Sequence, residues 1–274
     1  MLRYRLLAID IDGTLVNSRD ELTPATREAL IRAGKAGIQV VLATGRRYSH
    51  TLHLVAPLEI DVPLVTASGG LVKDPADHRT LYQAAFDRQV LCQMLSVIQR
   101  RGQDPLLCAD TYSQGFDFYL ARWEVASPEL AEYLRLNPGD GRPWPPLVSD
   151  PPPGVFAGFT MGTRQQMLDL EREVQQQLPG TVGTHVLRSP RYSGFMCELA
   201  PAGVTKWSAI RRLAAQWGID QQSICAVGDD VNDIPMIRAA GLGVAMGNAL
   251  AAVKAAAQRV APTHDEDGLV QVVR

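Results

Sequence analysis

Two short segments carry carboxylates at spacings that suit chemistry. In LLAIDIDGTLV, Asp10 and Asp12 stand one residue apart at the end of an apolar run, followed by Gly13 and Thr14. In GDDVND, Asp229, Asp230 and Asp233 crowd into five positions after another apolar run, with Asn232 among them. Two carboxylates where a buried strand meets a loop can hold a hard divalent cation, or divide the roles of nucleophile and proton carrier. They can equally be a polar loop entry in which Asp12 or Thr14 caps a turn. Three acidic groups at one strand end repel one another unless a cation or basic groups compensate. The alternative for GDDVND is a solvated acidic loop with an Asp capping the next helix.

Two further positions join them. ATGR, at 43–46, puts the Thr44 hydroxyl and the Gly45 backbone amide just past a second apolar run, where either could donate to a phosphate oxygen; a capping threonine and a turn glycine explain the same residues. Lys206, in PAGVTKWSAI, falls at a helix start, where an ammonium is a poor complement to the helix dipole by itself. It makes sense if it points into carboxylates and phosphate, or as a solvent-facing lysine of an amphipathic helix.

These groups need elements to position them. Leu6–Ile11 has the unbroken apolar pattern of a central parallel strand. Thr23 then caps a helix with Pro24 at its first position, running to about Lys35 and ended by Gly37. A strand at Ile38–Ala43, a helix at Tyr48–Val55 and a strand at Pro63–Thr66 complete the first half of a doubly wound sheet. The alternation resumes with a helix from Lys206 to Trp217, a strand at Ser223–Val227, a helix at Ile234–Ala240 and strands at Leu242–Ala245 and Arg259–Ala261. In a 3-2-1-4-5-6 strand order the first and fourth strands are neighbours, which would bring Asp10 and Asp12 beside Asp229.

Between the halves the rhythm changes. Helices at Phe86–Arg101 and Arg164–Leu178 alternate with short strands near Leu106–Cys108, Phe116–Leu120, Phe156–Met161, Thr181–Leu187 and Phe195–Leu199, and Pro138–Pro153 reads as a Gly/Pro-rich loop. The expected fold class is α/β: a Rossmann-like doubly wound parallel sheet, residues 1–80 and 201–274, interrupted by an inserted α+β domain at 81–200.

The whole chain narrows the function classes. Its 274 residues, 46% hydrophobic and 20% charged, suffice for two moderate domains. With 27 basic against 29 acidic residues and a net charge of -2, no basic block offers a nucleic-acid footprint. Cys92, Cys108, Cys197 and Cys225 form no CxxC pair and suit a reducing compartment. With no apolar stretch long enough for a membrane span, and an apolar start too short for a signal peptide, the expected location is cytoplasmic.

Taken in order and context, DIDGT, ATGR, GVTK and GDDVND resemble the four signatures of the haloacid dehalogenase-like hydrolases, in particular the Cof-type phosphatases with a large α/β cap. VAMGNA at 244–249 and THDEDGLVQVV at 263–273 extend the likeness, which covers nearly the whole chain. The resemblance implies a Mg²⁺-dependent phosphoric monoester hydrolase. Asp10 would attack phosphorus to form an aspartyl-phosphate, and Asp12 would protonate the leaving oxygen and then activate water. Asp10, the backbone carbonyl of Asp12 and Asp229 would hold Mg²⁺, with Asp233 supporting the metal shell and orienting Lys206. Thr44, Gly45, Lys206 and Asn232 would contact phosphate. The implied substrates are small phosphorylated metabolites, particularly sugar phosphates, for a monomer or weak homodimer without nucleic-acid or membrane partners. A sugar phosphomutase with the same phospho-aspartate chemistry is the nearest alternative; a non-enzymatic phospho-receiver, which also combines strand-end carboxylates with Thr and Lys, is more remote.

The chain departs from the family pattern at Ser68, Gly69 and Gly70, where Asn-Gly-Ala is common, and at His264, where Asn is common. Ser68 can still hydrogen-bond; His264 reads either as a rim residue or as a plain loop histidine. In the insert, Phe116, Phe118, Tyr119 and Trp123 read as substrate contacts or as packing, and Arg188, Arg191 and Tyr192 as an anion-facing or a solvated loop.

Overall fold

The computed structural model describes residues 3–188 and 192–274; Arg191 lies outside them. The fold begins with β1 (Leu6–Asp10), buried along its whole length. Helix α1 (Pro24–Lys35) starts where the sequence places it: Thr23 Oγ1 accepts from Thr26 N at 3.2 Å and Pro24 occupies the first turn. Such a cap is worth about 1 kcal/mol. Strand β2 (Gln39–Ala43) follows, and the segment after it winds as a short helical turn, Ser49–Thr51, leading into α2 (Leu52–Val55). Then come β3 (Leu64–Thr66), β4 (Leu71–Lys73) and β5 (Thr80–Gln83).

The inserted segment contributes α3 (Arg88–Arg100), β6 (Leu106–Ala109), β7 (Phe118–Leu120), α4 (Pro128–Leu136), β8 (Gly141–Pro143), β9 (Val155–Gly162), α5 (Arg164–Gln177), β10 (Val182–Leu187) and β11 (Phe195–Pro201). The chain then returns through α6 (Lys206–Gln216), β12 (Ile224–Gly228), α7 (Ile234–Ala239), β13 (Leu242–Ala245), α8 (Ala251–Ala256), β14 (Arg259–Val260) and α9 (Gly268–Val273).

Two compact units result, Met1–Tyr82 with Thr205–Arg274, and Gln83–Val204. The first holds an eight-stranded sheet ordered β14-β13-β12-β1-β2-β3-β4-β5. From β14 to β3 the strands are parallel, so the expected 3-2-1-4-5-6 order is the one present. The departure is at one edge, where β4 turns back antiparallel to β3 and β5 extends the sheet beyond it. The two strands are too short to show a pattern in the sequence. Apolar side chains of α6 (Ala209, Ile210, Leu213, Ala214) pack with Leu6, Ala8, Val41 and Ala226 in one buried cluster. That burial fixes α6, and hence its first residue, against the sheet.

The second unit is α+β, with six strands ordered β10-β11-β9-β6-β7-β8. Met94, Leu95 and Ile98 of α3 and Met167, Leu170 and Val174 of α5 join its core. Phe116, Phe118 and Tyr119 are buried there, which settles them as packing, whereas Trp123 is exposed. The Tyr192 hydroxyl reaches Asn137 at 3.2 Å and its ring lies 4.8 Å from that of Tyr133; Arg188 is exposed. The stretch read as a loop at 138–153 contains β8, paired parallel with β7 and half-exposed at an edge where Pro143 is tolerated. Helix α4 also escaped the sequence reading, although Ser127 and Pro128 give it a cap and a first-turn proline.

Candidate active site

Parallel pairing brings the chemistry to one edge. Ile9 is level with Val227 on β12, and Asp10 is level with Ala43 on β2. The residues that follow these strands, Asp12, Thr44 and Asp229, therefore emerge at the same carboxyl end of the sheet, where open α/β folds bind ligands.

Immediately after β1 the backbone makes a single tight turn over Ile11–Leu15, closed by Val16 N donating to Ile11 O at 3.2 Å. Gly13 takes φ +77° in it, and a Cβ there would lie 2.3 Å from Asp229 Oδ2. Only glycine combines that backbone with so close an approach to the carboxylate. The turn directs Thr14 Oγ1 to Asp229 Oδ1 at 3.3 Å.

Lys206 occupies the centre. Thr205 caps α6, accepting from Ser208 N at 3.1 Å while Ser208 Oγ accepts from Thr205 N at 3.0 Å. Gly69 (φ +107°) runs so close that a Cβ would sit 2.2 Å from Thr205 O. Placed by this start, Lys206 is 2% exposed and donates to Asp10 Oδ1 at 2.5 Å, Asp233 Oδ1 at 2.8 Å and Asn232 Oδ1 at 3.3 Å. Its proximity to the dipole's positive end is offset by two carboxylates in direct contact. Asp233, fully buried, also accepts through Oδ2 from the backbone N–H groups of Asp229 (3.0 Å) and Asp230 (3.2 Å).

The charges are unevenly compensated. Burial works against the Lys206 ammonium, but Asp10 and Asp233 outweigh it and raise its pKa above the usual lysine range. Burial also raises the pKa of Asp10 well above the carboxylate range, reinforced by Asp233, Asp229 and Asp12 and opposed by Lys206. Asp229 is pushed up to about 7, first by burial and then by Asp233 and Asp230. Oxygens of Asp10, Asp229 and Asp233 all lie within 4.8 Å of one another. One ammonium does not neutralise three such groups, and an all-oxygen donor set of this charge fits a hard divalent ion.

The sequence-derived candidates thus divide. Asp10, Lys206, Asn232, Asp229 and Asp233 converge. Thr44 and Gly45 stand at the adjoining end of β2; Thr44 is buried, and its Oγ1 accepts from Arg46 N at 3.0 Å. Asp12 turns its side chain to Arg46, which donates from Nε to Oδ2 at 2.9 Å and from Nη2 to Oδ1 at 2.6 Å. Ser68 takes φ +53° in the turn after β3, where its N–H donates to Thr44 O at 3.0 Å.

Three contributors were missed: Arg46, Thr14 and Asn248. Asn248 Nδ2 donates to Gly13 O at 2.8 Å and lies 3.4 Å from Asp229 Oδ2, while its Oδ1 accepts from His264 N at 3.1 Å. All three stood inside segments singled out by the sequence, but nothing there tells which distant group each would meet. His264 sits in a short turn, with Nε2 3.1 Å from Ser18 Oγ, so it ties the last segment of the chain to the loop after β1.

Comparison with known proteins agrees with this geometry. The model of the haloacid dehalogenase-like hydrolase family matches residues 7–273. The chain belongs to that family. Phosphatase YwpJ of Bacillus subtilis (strain 168) is 28% identical, with 98% of this chain and 99% of the relative covered. The 5-amino-6-(5-phospho-D-ribitylamino)uracil phosphatase YwtE of the same organism is also 28% identical, covering 98% of this chain and 96% of its own. A haloacid dehalogenase-like hydrolase from Bacteroides thetaiotaomicron superposes with a TM-score of 0.79 at 28% identity, over 98% of each chain. The sheet with its inserted α+β cap domain is the fold of this family. The protein is a Mg²⁺-dependent phosphatase that acts on small phosphorylated metabolites through an aspartyl-phosphate. Among the described residues, no helix is long and apolar enough to cross a membrane.

Proposed function

We propose that the protein hydrolyses sugar and sugar-alcohol monophosphates, with Asp10 as nucleophile and Asp12 as proton carrier. The observation that carries the site assignment is the buried Lys206 bound to both Asp10 and Asp233, beside Asp229. This ammonium holds the Asp10 carboxylate in a fixed orientation and adds a positive charge where a phosphate dianion would otherwise be repelled.

Asp10, Asp229 and the backbone carbonyl of Asp12 would hold Mg²⁺, which when bound supplies charge neutralisation for phosphoryl transfer. Asp233 supports that shell by fixing Lys206 and the Asp229 and Asp230 backbone. In the first step an Asp10 oxygen bonds to phosphorus and the ester oxygen leaves, taking a proton from Asp12. In the second, Asp12 accepts a proton from water as its oxygen attacks the same phosphorus, and the Asp10 carboxylate is regenerated. Thr44, with its hydroxyl oxygen already accepting from Arg46 N, has its proton to give to a phosphate oxygen; Gly45 N–H, Lys206 and Asn232 serve the remaining ones.

The sugar-phosphate reading draws on relatives such as YwtE, named for a substrate that carries a 5-phospho-D-ribityl group. A phosphate-release screen over sugar, sugar-alcohol, nucleotide and amino-acid monophosphates in Mg²⁺ tests it. The expected result is highest kcat/KM on sugar or sugar-alcohol esters. Preference for nucleotides or amino-acid esters would overturn the substrate class, and isomerised sugar without free phosphate would replace hydrolysis by mutase chemistry.

A further inference from the structure

Arg46 makes a contact that the roles above leave unused. Its guanidinium grips Asp12 in a fork, one nitrogen to each carboxylate oxygen, at 2.9 and 2.6 Å. Among the described residues, Arg46 is the only hydrogen-bond partner of the Asp12 side chain. The Asp12 side chain is about half exposed (49%), whereas that of Arg46 is 8% exposed. The buried partner is therefore the fixed one and the acid is the one being held.

The anchoring of Arg46 is equally specific. Its N–H donates to Thr44 Oγ1 at 3.0 Å and its carbonyl accepts from Ala67 N at 3.0 Å, so its backbone is held to the turns after β2 and β3. A second carboxylate, Asp20, takes Nη2 from the other side. Nη1 is buried without a hydrogen-bond partner. A guanidinium placed only to complete a structural network would use that donor; here the orientation that strands Nη1 is the one that meets both oxygens of Asp12. Fork-to-carboxylate pairing fixes a plane as well as a distance, which a lysine cannot do.

We infer that Arg46 is a positioning residue for the phosphatase reaction: it sets the orientation of the Asp12 carboxyl group from which the leaving oxygen is protonated. Asp20 in turn holds Arg46. The inference rests on the assignment of Asp12 as proton carrier. Its consequence depends on the leaving group. An alkoxide needs a proton as it departs, so a misdirected Asp12 slows that step, and proton transfer of this kind contributes roughly 10²–10⁴-fold. A nitrophenolate leaves without one.

The test compares Arg46→Ala, Arg46→Lys and Asp20→Asn with wild type on 4-nitrophenyl phosphate and on the best alkyl sugar phosphate from the screen. Asn suits the left-handed backbone of residue 20 (φ +62°). For Arg46→Ala, kcat on the alkyl ester should fall about 10²-fold or more while kcat on the aryl ester changes less than about fivefold, with KM for both nearly unchanged. Arg46→Lys should keep most of this difference, Asp20→Asn should show a smaller one, and added methylguanidinium should restore alkyl turnover to Arg46→Ala. Equal losses on both esters, or an alkyl rate unchanged or raised in Arg46→Ala, would overturn the inference. Should Arg46→Ala fail to fold, the same ester comparison in Arg46→Lys and Asp20→Asn decides. If wild type releases phosphate from neither ester, the phosphatase reading fails and Arg46 loses its role with it.

Discussion

Lys206 Nζ lies 2.5 Å from Asp10 Oδ1, and both side chains are almost completely buried. The pair joins residues 196 positions apart, and it exists because α6 begins against the carboxyl end of β1. Its energetics are those of a buried ion pair: breaking it strands a charge, at a cost of about 3–5 kcal/mol. Lys206→Ala should therefore lose both activity, by about 10²-fold or more, and stability. The stability loss should be larger at pH 8 than at pH 5.5, since burial already raises the pKa of Asp10 and at lower pH the stranded Asp10 escapes its charge by protonation. Thermal melts at the two pH values check this; equal shifts would show that the lysine is not compensating Asp10.

Asp229 gives the second prediction its sign. Burial, with Asp233 and Asp230 beside it, raises its folded-state pKa to about 7, above the roughly 3.9 of an unfolded aspartate. The folded form thus holds more protons between those values. The contribution of this group to stability is complete below about pH 4 and lost as pH rises through 7. Mg²⁺ competes with those protons, so its affinity should increase over the same interval. Melting the chelated protein with and without Mg²⁺ should give a larger Mg²⁺-induced rise in Tm at pH 8 than at pH 5.5. A rise independent of pH would contradict the placement of the ion on this carboxylate.

Asn248 links the Gly13 carbonyl, the Asp229 carboxylate and the His264 backbone. Groups that orient a metal's ligands in this way typically cost 10–100-fold in affinity when removed. Asn248→Ala should raise the Mg²⁺ concentration for half-maximal activity by about that factor, with a smaller change at saturating Mg²⁺. An unaltered Mg²⁺ titration would reduce Asn248 to a loop tether.

Gly69 tests how tightly the site depends on its supporting turns. With φ +107° and only 2.2 Å between a built Cβ and Thr205 O, Gly69→Ala must move the start of α6. It should destabilise by more than about 1 kcal/mol and lower kcat, because Lys206 moves with the helix. Denaturant melts and turnover measured on the same preparation check the two effects together.

Much of this was legible because local rules and global topology agree. Thr23 and Pro24 announce α1, and the unbroken apolar runs of β1, β2 and β12 announce strands buried on both faces. In the doubly wound order that these strands suit, Asp10 falls beside Asp229, and the parallel pairing of β1 with β12 is the one present. What was missed had weak or displaced signals. The far edge of the sheet, β4 and β5, uses strands of three and four residues, too short for periodicity. Helix α4 carries a Ser-Pro start like the Thr-Pro start that identified α1, but it sits in an insert whose rhythm gave no frame. In the site, the cation for Asp10 was visible as Lys206, whereas the partner of Asp12 was not. Arg46 reads as the end of a phosphate loop, and only the side-by-side ends of β1 and β2 show where its guanidinium goes.

Whether Asp10 forms the bond to phosphorus is decided by phosphate release from the Asp10→Asn protein at saturating Mg²⁺. The substitution removes the attacking carboxylate while keeping its size and a hydrogen-bond acceptor for Lys206, so the fold should persist by circular dichroism. Turnover of the best sugar phosphate should fall by at least about 10³-fold. Release within about tenfold of wild type by a folded Asp10→Asn protein would contradict its role as nucleophile.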